Sequence, residues 1–148
     1  MGKFEDALNV VESARLKDLS DRYLNSKSAK YFLRVGKIKE AEKTISLFLR
    51  AQSLEGLQDI IDMQCLWFLV EKGEALVRKG DLKGALDQFA IVEKIFNEIL
   101  DDQFDFHAYC ARKMTLTAYE QLIKCEDELF SNKWFKRSAS NAIKVIFS

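Results

Sequence analysis

One stretch of the 148-residue chain, DDQFDFHAYC at positions 101 to 110, gathers residue types from which hydrolytic and metal sites are built: Asp101, Asp102, Asp105, the sole histidine His107, and Cys110. His107 and Cys110 are three residues apart, so on a helix they share a face and could ligate one ion. Zinc would need one or two further ligands, which Cys65 or Cys125 could bring only through folding that the spacing does not specify. A Cys–His nucleophile requires a third group to orient the base, and no glycine-rich oxyanion turn accompanies this pair. Neither GxGxxG nor a P-loop occurs. The simpler reading has Asp102 or Asp105 cap a following helix, where a carboxylate accepts from free N–H groups and suits the helix dipole. The chain reads as a non-enzyme with no catalytic residues, no metal site and no required cofactor.

The elements that would position these residues are helices. The chain has no proline and six glycines, which removes the usual punctuation of strands and hairpins. No apolar run reaches the roughly 18 to 20 residues of a membrane span, and no basic-then-apolar leader opens the sequence. Three scattered cysteines suggest reduced thiols rather than a disulfide framework. These features point to a soluble intracellular protein without membrane contact.

The motif Gly-x-apolar-x-x-Ala occurs at GKFEDA (2 to 7), GKIKEA (36 to 41) and GDLKGA (80 to 85). Gly2 to Gly36 and Ala7 to Ala41 are each 34 residues, the period of the tetratricopeptide helix-turn-helix unit. In register, Phe4, Ile38 and Leu82 open each second helix, followed by Ala7, Ala41 and Ala85, then Val11, Ile45 and Phe89. That spacing makes one apolar stripe, with glycine at the corner before it. In the first helices Ala29 and Gly73 sit seven residues before the corner, and Phe32 and Leu76 four before. The expected fold is all-α: a tetratricopeptide-like helical-hairpin solenoid, a right-handed α-α superhelix. Residues 1–148 form a single segment, with a half repeat at 3–19, a repeat at 20–51, a connection at 52–61, a repeat at 62–100, and a degenerate helical hairpin at 104–147. In that hairpin, residues 104 to 129 are expected to form one long helix. Beginning and ending inside helices, the chain reads as a fragment of a longer solenoid.

Net charge is zero but uneven. Residues 15 to 50 carry ten basic and four acidic side chains, residues 51 to 128 eight and sixteen, and the last twenty have four basic and none acidic. A neutral total argues against non-specific nucleic-acid binding, while the basic block suits a compact anion or an acidic surface.

The strings DRYLNSKSAKYFLRVGKIKEAEK (21 to 43), MQCLWFLVEKGEAL (63 to 76) and, most specifically, DDQFDFHAYCARKMTL (101 to 116) resemble the auxiliary subunit of the NatA N-terminal acetyltransferase. The resemblance runs from about residue 5 to 147. It implies a non-catalytic scaffold that binds a catalytic GNAT-fold subunit and anchors it to ribosomes in the cytoplasm for co-translational acetylation. It also implies inositol hexakisphosphate in a basic pocket at the subunit interface, and no direct sequence-specific nucleic-acid binding. The family proteins are several times longer than this chain.

If leading helices line the binding face, Tyr23, Lys27, Lys30 and Arg34 point inward from the second unit, and Trp67, Val70, Glu74, Val77 and Arg78 from the third. Lys27, Lys30 and Arg34 are the candidate anion cradle, closed by Arg112 and Lys113 from the motif. Tyr23, Trp67, Val70, Glu74 and Arg78 are the candidate partner contacts. The rival reading is a peptide-binding adaptor, such as a chaperone cofactor that clamps an acidic tail. The clamp normally uses Lys and Asn on leading helices, whereas the corresponding places here hold Ser26 and Lys30, then Val70 and Glu74.

Overall fold

Two glycines set the corners. Gly36 and Gly80 adopt left-handed φ values of 81° and 80°. In each corner the residue after the glycine donates its N–H five residues back, Lys37 to the Phe32 carbonyl at 2.8 Å and Asp81 to the Leu76 carbonyl at 3.0 Å. This is a Schellman closure, which satisfies carbonyls that a helix end leaves free.

The computed structural model describes residues 2–49, 56–113 and 116–148, with side chains at all of these except 56, 57, 103–106, 110, 111 and 118. The helices are α1 (Gly2–Arg15), α2 (Arg22–Arg34), α3 (Ile38–Ser46), α4 (Gly56–Asp62), α5 (Leu66–Lys79), α6 (Leu82–Lys113), α7 (Leu116–Asp127) and α8 (Lys133–Ile146), with a 3-10 turn at Leu129–Ser131. There is no strand among the described residues. Asp21 caps α2, its carboxylate accepting from the N–H groups of Tyr23 and Leu24, and Asn132 caps α8 through Trp134 N–H. Asp81 does the same for α6 through Gly84 N–H at 2.9 Å.

The expected hairpins form: α2 packs on α3 and α5 on α6, while α1 packs on α2. Ala29, Ala41, Ala75 and Ala85 are fully buried, so helices cross closely at each small residue. The main core joins Leu33 and Ile45 to Phe68, Val70, Val92 and Phe96. Gly73 lies where a Cβ would overlap the Phe89 ring, so this position admits no side chain without moving a buried aromatic.

Three expectations change. The segment 104–147 is not a hairpin separated from the repeat 62–100. Instead α6 runs unbroken from Leu82 to Lys113, about 48 Å at 1.5 Å per residue. Asp101 and Asp102 lie inside it and cap nothing, since isolated exposed aspartates cost a helix only tenths of a kcal/mol and no glycine or proline interrupts. The Asp105 side chain, like those of Phe106 and Cys110, lies outside the described residues. The expected helix 104–129 is instead divided between α6 and α7, which the His107–Glu126 bond holds against each other. So α6 fuses a trailing helix to the next leading helix.

The second change concerns α8. It packs on both α5 and α6, as a leading helix does, so α2, α5 and α8 stand side by side. The third concerns the connection 52–61, whose described part begins α4. That helix ends at Asp62, and the turn after it passes through Gln64, a non-glycine with φ 52°, where Cys65 N–H reaches the Ile60 carbonyl at 2.9 Å. A third corner of the same kind is thus built without glycine.

These placements make two opposite predictions, both read by urea midpoint. Gly73→Ala is expected to destabilise the protein by about 1 to 3 kcal/mol through overpacking against Phe89. Gln64→Gly is expected to stabilise it by up to about 1 kcal/mol by relieving left-handed strain.

Candidate functional site: a carboxylate that gathers cations from two helices

The face made by α2, α5 and α8 is organised around Glu71. Its i−3 and i+4 neighbours on α5 are the buried Phe68 and Ala75, so the carboxylate sits on the helix's apolar stripe and is itself 1% exposed. A carboxylate taken out of water costs several kcal/mol unless it is paired and hydrogen-bonded. Here the partners come from both neighbouring helices. From α2, Arg34 donates to Glu71 at 3.2 and 3.4 Å, and Lys30 Nζ lies 3.6 Å from Oε1. From α8, Arg137 donates through Nη1 and Nη2 at 3.3 Å each.

Glu74, one turn on, binds Arg137 in a two-point fork, at 2.6 Å from Nε and 2.5 Å from Nη2, and accepts from Asn141 at 2.8 Å. Burial alone pushes the Glu71 carboxyl up. The Arg34 hydrogen bond and the charges of Arg34, Arg137 and Lys30 outweigh it, and the group is held below its ordinary range. The fork to Glu74 raises Arg137 in turn.

Aromatic rings surround the cations. Lys30 Nζ is 6.0 Å from the Trp67 ring centre and 5.7 Å from that of Trp134. Lys133 and Arg137 approach the same Trp134 ring at 5.2 and 5.5 Å. Arg34 lies over Phe4 and Tyr31, and Lys27 over Tyr23. Such cation–π contacts hold long stems in place.

The sequence-derived candidates separate on this face. Lys27, Lys30 and Arg34 lie together on α2, and the donor set suits an anion with several oxygens. Arg112 and Lys113 do not join them. They end α6, sixteen residues or roughly 24 Å of helix beyond Phe96, whose ring packs on Phe135 beside Trp134. Val70 is fully buried in the core and is not a contact residue, because α5 turns Trp67 and Glu71 rather than Val70 toward the cations. Trp67 is half-buried, Tyr23 is exposed, and Glu74 is occupied by Arg137 and Asn141. Arg78 spends one donor on the Leu33 carbonyl, tying α5 to α2.

Sequence reasoning missed Glu71, Lys133, Trp134 and Arg137. Two signals existed: a carboxylate on a core stripe, and a last segment of four cations without an acid.

His107 is engaged structurally. Its Nε2 is 2.7 Å from Glu126 Oε1 and its ring stacks edge-on with Tyr119, so it joins α6 to α7. No group of three or more metal-ligating side chains occurs among the described residues. Cys65 is shielded, and burial pushes its thiol up.

The Glu71 shift has a pH consequence. A carboxyl with a lowered folded-state pKa contributes stability above its unfolded value, about 4.3, and loses it as pH falls through the folded value. Urea midpoints at pH 7 and pH 3 are expected to differ less in Glu71→Gln than in the unaltered protein.

Comparisons with known proteins agree with this architecture. The family model for the auxiliary subunit of N-terminal acetyltransferase A matches residues 1–148. The mouse N-alpha-acetyltransferase 16, NatA auxiliary subunit, is 43% identical, covering 98% of this chain and 17% of that protein. The Arabidopsis thaliana N-terminal acetyltransferase A complex auxiliary subunit NAA15 is 41% identical, covering 97% and 16%. A solved structure of Naa15/Naa10 bound to HypK-THB superposes with a TM-score of 0.91 at 40% identity, over 97% of this chain and 22% of that one. The chain thus spans about a sixth of the length of the curated relatives it matches, and it belongs to the family of auxiliary subunits of N-terminal acetyltransferase A.

Proposed function

We propose that this chain is a non-catalytic scaffold segment of an N-terminal acetyltransferase complex, and that the α2, α5 and α8 face binds the catalytic GNAT-fold subunit. The observation that supports this reading is the face itself, where Trp67, Trp134 and Tyr23 lie among fixed cations. Large amphipathic rings beside Arg and Lys are the composition of an interface centre. The solved neighbour with the same fold is a Naa15 bound to Naa10, which makes a Naa10-like acetyltransferase the fitting partner. The full-length protein would present this partner to nascent chains at the ribosome, in the cytoplasm.

Lys27, Lys30 and Arg34 are the residues that would hold inositol hexakisphosphate at the edge of that interface. Their role there is to neutralise and orient a multiply charged anion that bridges the two subunits. The adaptor reading has less to stand on: of its clamp positions, Val70 is in the core and Glu74 is already bound to Arg137.

The test uses the full-length parent protein as bait in cell extract, with mass spectrometry and an acetylation assay on a Ser-starting peptide. Recovery of a GNAT-fold partner with activity is expected, and recovery of chaperones without activity would favour the adaptor. Lys27→Ala combined with Lys30→Ala is expected to weaken inositol hexakisphosphate binding at least tenfold by calorimetry and to reduce recovery of the catalytic subunit. Unchanged affinity would remove both residues from the site.

A further inference from the structure

We propose that the open edge of α7 is a docking surface for a basic amphipathic helix, carried by a partner other than the one on the α2, α5 and α8 face. The edge lies beside the second half of α6 and shares no residue with that face.

The packing of α7 leaves the edge uncovered. Its principal neighbours are α6 and the 3-10 turn at Leu129–Ser131. Tyr119, Leu122, Glu126 and Leu129, at steps of three and four residues, form its half-buried side. From that side Glu126 and Tyr119 engage His107 of α6. Leu116, Ile123 and Phe130 follow one another at seven-residue steps, which keeps them on a single stripe of the helix and its continuation. They remain 66%, 37% and 41% exposed. The apolar arc of α7 is thus wider than α6 covers. Phe130 is also held from behind, its ring 4.9 Å from that of Phe135 and 6.3 Å from that of Phe96, so this apolar anchor is set in place before a partner arrives.

Charge selects the occupant. Glu120 and Asp127 stand four residues after Leu116 and Ile123, so an exposed carboxylate lies one turn beyond each anchor. Glu120 is bound to Lys124 at 2.8 Å in a pair open to solvent, a weak contact that a partner's cation can replace. Residues 97–130 carry eight acidic and three basic side chains, and two of the three, Arg112 and Lys113, close α6. A second copy of the chain would bring like charge against like. An anionic membrane surface repels this segment too, and helices that lie on membranes are rich in Lys and Arg rather than in acids. The complementary occupant is a helix of about four turns, matching the roughly 20 Å from Leu116 to Phe130. It carries apolar side chains along one stripe and Lys or Arg on the border of that stripe. The apolar anchors supply most of the affinity, and the charges supply orientation and encounter rate.

Fluorescence anisotropy on the full-length protein tests this with two synthetic four-turn helical peptides, one with a Leu stripe bordered by Lys, the other with Glu in place of each Lys. The Leu/Lys peptide is expected to bind at least about fivefold tighter than the Leu/Glu peptide. Leu116→Ser combined with Ile123→Ser is expected to weaken it about fivefold or more at both low and high salt. Glu120→Lys combined with Asp127→Lys is expected to weaken it strongly at low salt and far less at high salt, because ions screen the charge contribution alone. Equal binding of the two peptides, or affinity that neither double variant alters, would overturn the proposal. Gel filtration in which the Leu116→Ser, Ile123→Ser variant turns a dimer into a monomer would assign the edge to a second copy instead. Absence of peptide binding together with a urea midpoint lowered by that variant would assign it to another part of the parent chain. Both double variants are expected to recover the catalytic subunit as the unaltered protein does. Its loss in them would place the edge in that subunit's interface and end the claim of a separate partner, whereas failure of the unaltered protein to recover it would end the scaffold reading and leave the peptide result standing.

Discussion

A buried carboxylate is the constraint on which this face depends. Glu71 occupies a place on α5 that periodicity assigns to an apolar side chain, and it survives there because three cations from α2 and α8 surround it. Removing such a charge from water is costly, and its neutralisation requires the two flanking helices to sit at fixed distances. An apolar residue would pack α5 equally well without dictating where α2 and α8 place their cations. The pairing converts three adjacent helices into one surface of defined charge.

The rest of the fold supports that arrangement. Small residues bring the helices close: Ala29 and Gly73 on leading helices, Ala41 and Ala85 on trailing ones. The left-handed corners at Gly36 and Gly80 return each trailing helix behind its leader, so the leaders α2 and α5 lie side by side. The fused helix α6 departs from the plan. Without a corner near residue 100 it extends beyond the body, carries α7 through the His107–Glu126 bond, and lets α8 return directly to α5.

The sequence was most legible where one residue type had one physical purpose. Gly36 and Gly80 could be read as corners because few other residues take a positive φ without strain, and the buried alanines followed from their register. The corner at Gln64 was hidden because glutamine gives no such signal. The continuity of α6 was hidden for the opposite reason: two aspartates resemble a cap, and only the absence of a breaker, a weak signal, argues for an unbroken helix. Half of the candidate site was visible, as the α2 cations and Trp67. The other half depends on Glu71 meeting Arg137, 66 residues away, a pairing that no local period encodes. Arg112 and Lys113 were drawn in by their basic character, and only the length of α6 shows where they lie.

The proposed binding of the catalytic subunit on the α2, α5 and α8 face would bury that face's aromatic rings. Oxidative footprinting of the full-length protein, alone and in complex with its acetyltransferase partner, tests this most directly. Tyr23, Trp67 and Trp134 are expected to lose reactivity in the complex while Tyr109, in the second half of α6, changes little. Protection confined to Tyr109 and the α6–α7 region, with the two tryptophans unchanged, would contradict it.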